Sequence, residues 1–376
     1  MHLAYFGQTP GQGTGSPITI FRHLQRCAQS GARITVVAEW GQVADACLAE
    51  GWAVHHLPHR RAWWPPFSGG EGWSRTLRMR LWARECGRIL GQPDAILTYL
   101  GLHSGLLSEV AAHYARASGV PLSILVHDDV RAFPPGPAET LEVLVRRYRW
   151  IMQQARQLWF VSRELAGAYG FEGGPQNVLL PIPAGGTPRV AWRPDFATRP
   201  VVVSAGFLYE QQYPLLRRVA RLIDRAGGQL LLLTCASPAL RDLCAREPIT
   251  LHDLLPTNRD ALDFVGERAA GFLAAYCDRV DEMPWIRSSF PSKVVEFSQL
   301  GLPMLFVAPE ESAIYQWNAE RQVPANLLPD DEAGVAAFVT ALKDRAEWER
   351  LAKATRALAD GEFSPDHIQR RLAERL

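Results

Sequence analysis

The chain has 376 residues, 47% hydrophobic and 21% charged, with 40 Lys+Arg against 39 Asp+Glu. This hydrophobicity argues against intrinsic disorder, and a net charge of +1 gives no global pull toward nucleic acid. No apolar run approaches the roughly 18 residues that a membrane-spanning helix needs. The first residues, 1–7, read as a short buried strand rather than a leader peptide. A glycine-rich loop with Gly11, Gly13 and Gly15 follows. Ser16 is placed to cap a helix that holds Pro17 in its first turn and runs to about Gln29. Further strands are predicted at 34–38, 53–57, 95–99, 122–127 and 158–162, most of them separated by helical patterns.

The alternation breaks at 181–200, where Pro181, Pro183, Gly185, Gly186, Pro188, Pro194 and Pro200 accumulate. It then restarts. Strands are predicted at 201–205, 229–234 and 304–307, and helices at about 214–226 and 292–300. Residues 245–285 give a mixed pattern with no assignment. Buried strand runs alternating with helices imply parallel sheets covered on both faces. The predicted fold class is therefore α/β, with two Rossmann-like domains whose parallel sheets face across a cleft. The expected domains are 1–183, a hinge at 184–199, 200–362, and a terminal helix at 363–376 packing back on the first domain. Ligands of such sheets bind at the carboxyl ends of strands.

The six cysteines, Cys27, Cys47, Cys86, Cys235, Cys244 and Cys277, are scattered and form no C-x-x-C pair. That usage fits reduced thiols in a cytoplasmic protein and gives no zinc-ligand spacing. Only three basic residues are lysine, namely Lys293, Lys343 and Lys353.

One of those lysines lies in the segment richest in chemistry, 288–303. It begins Ser288-Ser289-Phe290-Pro291-Ser292-Lys293 and continues through Glu296 to Gly301 and Pro303. Ser292 is either the cap or an early residue of a helix. Lys293 adds positive charge at the start of that helix, where anions are favoured. Glu296, one turn on, is placed to accept hydrogen bonds from vicinal hydroxyls. The same residues also fit an ordinary capped helix with a solvated Lys and Glu.

The motif P-S-K-x-x-E-F-x-x-x-G-x-P resembles the nucleotide-binding helix of retaining GT-B glycosyltransferases close to family 4. Other segments resemble that family in the same order. Gly7 with Gly11, Gly13 and Gly15 is similar to its first strand and loop. The run 158–162 followed by Arg163-Glu164-Leu165 is similar to its strand–V-S–x–x–L step. Residues 178–183 are similar to its hinge entry, and Phe363-Ser364 to its C-terminal crossing. The resemblance implies transfer of a sugar from a nucleotide-diphosphate sugar to an acceptor hydroxyl with retention. The acceptor would be a glycan, a lipid-linked molecule or a small molecule. Glu296 would hold the ribose. Ser292, Lys293 and the local amides would hold the diphosphate, Ser288 and Gly206 would belong to the donor site, and Gly13 and Gly15 would let the backbone approach the phosphates or the transferred sugar. His127, at the end of a strand, would sit near the donor sugar.

Three positions depart from the family pattern. Ser288 stands where a first glutamate is usual, and Phe207 and Gln212 stand where a basic pair follows Gly206. A diphosphate leaving group needs positive charge as its bond breaks. Lys293 and Arg163 are the cations left to supply it. No D-x-D triplet occurs, so the implied reaction is metal-independent, with no cofactor beyond the donor itself. Two alternatives stand beside this reading. One is a non-catalytic GT-B subunit or scaffold for a partner glycosyltransferase. The other is a sugar-nucleotide epimerase, for which no convincing set of acid and base residues is visible.

A second feature lies at 59–90. His59-Arg60-Arg61 and Trp63-Trp64 lead through a glycine-rich turn to a helix starting near Trp73. Trp73, Leu77, Leu81, Trp82, Cys86 and Ile89 are predicted to share one face. Arg75, Arg78, Arg80, Arg84 and Arg88 populate the rest. Such a basic, Trp-bearing helix, with Trp63, Trp64, Arg75, Arg78 and Trp82, suits either an anionic membrane surface or acceptor contacts. It also fits a core-packing helix with solvated arginines.

Overall fold

The computed structural model describes residues 1–12, 15–39, 43–57, 73–101, 105–132, 140–171, 174 and 177–376. Gly13, Trp63 and Trp64 lie outside the described residues. The chain divides into two compact units, one of residues 1–181 with 368–376 and one of residues 182–367.

In the first unit the chain order is β1 (His2–Phe6), α1 (Ser16–Gln29), β2 (Arg33–Glu39), α2 (Asp45–Ala49), β3 (Ala53–Leu57), α3 (Trp73–Leu90), β4 (Ala95–Leu100), α4 (Gly105–Ser118), β5 (Leu122–Val126), α5 (Leu141–Gln153), β6 (Gln157–Phe160) and α6 (Arg163–Ala168). The six strands form one parallel sheet in the order β3-β2-β1-β4-β5-β6. Leu3, Ala4, Tyr5 and Phe6 of β1 are fully buried, as a central strand covered on both faces must be.

The second unit repeats this order. Its elements are α7 (Pro194–Thr198), β7 (Val201–Ala205), α8 (Tyr213–Arg225), β8 (Gln229–Leu233), α9 (Pro238–Arg246), β9 (Ile249–His252), α10 (Asn258–Arg268), β10 (Gly271–Ala275), α11 (Ser292–Ser298), β11 (Met304–Val307), α12 (Ala313–Glu320), β12 (Asn326–Leu327), α13 (Glu332–Lys343) and α14 (Arg345–Asp360). Its parallel sheet runs β12-β11-β10-β7-β8-β9. In each sheet the first strand sits between the second and the fourth. That is the doubly wound arrangement, and its switch point opens beside the carboxyl end of the first strand. In the second unit this place lies between β7 and β10.

Residues 184–199 are tied to the second unit rather than hanging free. Val190 N–H donates to Leu300 O, and Trp192 Nε1 donates to Leu342 O at 3.4 Å. Phe363 anchors the chain's exit from that unit. It is fully buried and stacks on Trp317 at 5.1 Å. The last helix, α15 (Pro365–Ala373), then joins the first unit. There Gln369 Nε2 donates to Cys27 Sγ at 3.3 Å, and Arg375 Nη1 donates to Gln157 Oε1 at 3.3 Å.

Two local expectations are corrected. The cap of α1 is Gly15, with φ of 73°, rather than Ser16, which is the first helical residue. Ser16 instead accepts a hydrogen bond from Tyr99 Oη at 2.8 Å. The face of α3 is also rotated from the predicted one. Arg78, Met79, Trp82, Ala83, Cys86 and Leu90 are buried, whereas Leu77, Leu81 and Ile89 are exposed. The reason is a charged anchor on α4, against which α3 packs. Buried Glu109 accepts Arg75 Nη2 at 2.6 Å and Arg75 Nε at 3.0 Å, with Arg147 Nε 3.7 Å away. A buried carboxylate needs such partners. Turning Arg75 and Arg78 inward carries Leu77 and Leu81 outward, so these two arginines are not solvated as expected.

Candidate functional site

The segment 288–301 brings Lys293 beside Gly206, at the carboxyl end of the central strand β7. Trp285 belongs to a 3-10 turn (Pro284–Arg287), and Ser288 caps its C-terminal end. Ser288 is buried, and its Oγ donates to Trp285 O at 3.4 Å. Pro291 is the N-cap of α11 and Ser292 its exposed first residue, which settles the choice between cap and early helical position. The helix ends soon after Ser298, and Gly301 turns the chain into β11 with φ of 66°.

Lys293 is half-buried on this short helix. Among the described residues no carboxylate, hydroxyl or carbonyl pairs with its ammonium. Loss of solvation pushes its pKa down to about 8. A buried ammonium without a counter-charge is costly, so it is a group prepared to receive an anion. Its aliphatic stem runs beside Gly206. A methyl group added there would meet Lys293 Cδ at 3.9 Å and no other atom within 4 Å. Gly206 follows β7 with φ of 97°, a conformation that favours glycine.

Glu296 lies one turn further along α11 and is buried. Its Oε2 accepts a hydrogen bond from Ala184 N–H at 3.3 Å. Gly206, Ser292, Lys293 and Glu296 thus all belong to the switch-point side of one unit.

Gln212 and Phe207 occupy the departing positions differently. Gln212 is buried and wholly engaged: its Nε2 donates to Ala275 O at 2.6 Å, and its Oε1 accepts from Tyr209 N–H at 2.8 Å. It fastens the loop after β7 to the end of β10. Phe207 points outward and is 63% exposed.

The remaining candidates lie in the first unit. His127 follows β5, and its ring meets Tyr99 at 4.9 Å. Because Tyr99 also bonds Ser16, it links His127 to the Gly15–Ser16 turn. Burial lowers the His127 pKa to about 4, so the imidazole is neutral at pH 7. Close by, fully buried His23 on α1 has neither ring nitrogen hydrogen-bonded among the described residues. Its pKa is pushed down to about 3, chiefly by burial and then by His127. Arg163 is the exposed first residue of α6, capped by Ser162 Oγ, which accepts from Leu165 N–H at 3.0 Å. Tyr99 and His23 escape sequence reasoning because both read as core positions. A polar atom on a buried strand or helix face is the only trace they leave. Among the described residues no cluster of His, Cys, Asp or Glu is arranged to hold a metal.

No family model and no curated protein matches the sequence. Solved structures do match the fold. A glycosyltransferase from Rickettsia africae aligns with a TM-score of 0.66 at 9% identity, covering 99% of this chain and 96% of that one. HepE from Anabaena, solved with UDP and glucose, aligns with a TM-score of 0.65 at 12% identity, covering 100% and 98%. MurG from Acinetobacter baumannii aligns at 0.55 and 14%, covering 100% and 98%. At these identities the likeness is one of fold, and the fold is that of the GT-B glycosyltransferases: two Rossmann-like domains, each with a six-stranded parallel sheet.

Proposed function

We propose that this chain is a glycosyltransferase that moves a sugar from a nucleotide-diphosphate sugar to an acceptor hydroxyl, with retention and without a metal ion. The observation that carries the reading is Lys293, a half-buried ammonium with no protein partner among the described residues, beside Gly206 and one turn before Glu296. Similar folds support it, since HepE is solved with UDP-glucose.

On this reading the second unit binds the donor. Glu296 accepts the ribose hydroxyls, and its bond from Ala184 N–H keeps the carboxylate oriented. Lys293 meets the diphosphate. As the bond between the sugar and the terminal phosphate oxygen breaks, negative charge grows on that oxygen. A fixed ammonium stabilises this charge more than it stabilises the ground state. Diphosphate binding also restores the full charge of Lys293. In the first unit His127 is neutral at pH 7, and Arg163 is an exposed cation at the start of α6; the resemblance gives the first a contact with the sugar and the second one with the phosphates. Exposed Leu77, Leu81 and Ile89 alternate on α3 with Arg80, Arg84 and Arg88, a surface suited to an anionic membrane carrying a lipid-linked acceptor. Among the described residues no helix is long and apolar enough to cross a membrane.

A thermal-shift panel of nucleoside diphosphates on the wild type, Lys293→Ala and Glu296→Ala tests the donor site. The expected result is stabilisation by one nucleotide, lost in both variants. Stabilisation of both variants to the wild-type extent contradicts it. A second reading, a nucleotide-sugar binding subunit without turnover, is favoured by the structural use of Gln212 where the family carries a cation. Binding without sugar transfer or donor hydrolysis identifies that case.

A further inference from the structure

Among the described aromatic residues only Phe207 and Tyr209 are exposed, and they stand in one short loop. An aromatic ring left in water forgoes the stabilisation that burial would give it, so a paired exposure of this kind marks a contact surface. The two rings meet edge to face with centroids 4.9 Å apart. Tyr209 in turn meets half-buried Trp285 edge to face at 5.1 Å. The three form a continuous aromatic strip from the loop after β7 to the turn that leads into α11.

The strip is held in place. Tyr209 N–H is bonded to Gln212, and Gln212 is bonded to Ala275 at the end of a central strand. A preorganised surface loses little entropy when it binds. It also begins one residue from Gly206, which lies against the stem of Lys293. A ligand that reaches both therefore carries an anionic group and, directly next to it, a ring with an apolar face.

Resting on the donor-site reading above, we propose that Phe207, with Tyr209 and Trp285, is the stacking platform for the sugar ring bonded to the diphosphate. Two rings of a nucleotide-diphosphate sugar offer flat apolar faces, the base and the sugar. The base is separated from the diphosphate by the ribose, which that reading assigns to Glu296, a full turn beyond Lys293. The sugar is attached to the phosphate itself. A pyranose presents a face of C–H groups that packs on an aromatic ring, while its hydroxyls remain at the rim for hydrogen bonding. The aromatic residue at 207 thus takes a position where the family uses a cation for charge, and uses it to hold the transferred group.

The test is calorimetric titration of the full chain with paired ligands: UDP and UDP-glucose, GDP and GDP-mannose, ADP and ADP-glucose. Wild type is expected to bind the sugar-bearing member of one pair more tightly than its diphosphate. Phe207→Ala is expected to cut that preference by about five- to tenfold, with affinity for the diphosphate alone within about twofold. Phe207→Trp is expected to restore it. Phe207 is exposed, so neither variant disturbs a packed core. An unchanged preference in Phe207→Ala overturns the proposal while the donor site stands. An equal loss for the diphosphate alone assigns the ring to the base and also overturns it. Failure of every pair to bind wild type removes the donor site and the platform together.

Discussion

Lys293 sits where burial disfavours its charge, and among the described residues no counter-charge pairs with it. Such a residue weakens the free protein slightly and strengthens the complex, because the missing partner arrives with the ligand. Glu296 has a different task, since ribose hydroxyls donate to a carboxylate. Wild type is expected to favour a ribonucleoside diphosphate over its 2′-deoxy counterpart, and Glu296→Ala is expected to remove the preference in competition binding. Equal preference in both proteins would take the ribose away from Glu296. Gln212 acts on stability instead. Gln212→Ala breaks one buried hydrogen bond, to Ala275 O, and one part-buried bond, from Tyr209 N–H. A loss of about 2 kcal/mol is expected in urea unfolding.

At the level of elements, α3 and α4 are joined by a charge triad rather than by apolar packing alone. Removing Glu109 leaves Arg75 and Arg147 facing each other on largely buried side chains. Glu109→Ala is expected to destabilise the first unit by about 3–5 kcal/mol, read as a lower denaturation midpoint. Double replacement of Glu109 and Arg75 by apolar residues is expected to recover much of that loss. This triad explains why α3 was only partly legible in sequence. Its apolar residues fit more than one helical face, and the choice was made by a carboxylate in a different helix. The strands at 201–205 and 304–307 are legible because their runs are rich in branched and aliphatic residues. By contrast β10, Gly271-Phe-Leu-Ala-Ala, is a central strand built partly from small residues of weak β preference. Glycine suits position 271, because a methyl group would lie 3.1 Å from the Phe338 ring and that ring would have to shift. Packing against α13 thus hid the strand from a propensity reading. The Lys293 segment was visible because its residues are contiguous. The strip of Phe207, Tyr209 and Trp285 was not, since folding alone brings the loop after β7 to the turn before α11.

Across the whole molecule, the same doubly wound sheet is built twice, and each copy places polar groups at its own switch point. The first copy contains an acid-sensitive centre. His23 stays neutral in the fold with its pKa near 3, whereas an unfolded imidazole titrates near 6.5. Below pH 6.5 the unfolded chain takes up a proton that the folded chain refuses. Stability therefore falls as pH drops from about 6.5 toward 3, by about 2 kcal/mol at pH 5 from this residue. In thermal melts, His23→Leu is expected to narrow the difference in Tm between pH 7 and pH 5 by several degrees. An unchanged difference would mean that His23 is not the group responsible. The second copy carries the central claim. The most direct measurement is titration of wild type and Lys293→Ala with the preferred nucleoside diphosphate at pH 7.0 and pH 9.5. Because the free ammonium loses its proton near pH 8, wild-type affinity is expected to fall at least about tenfold across that interval. Lys293→Ala is expected to bind weakly and nearly equally at both values. Tight, pH-independent binding by wild type, matched by the variant, would contradict the account.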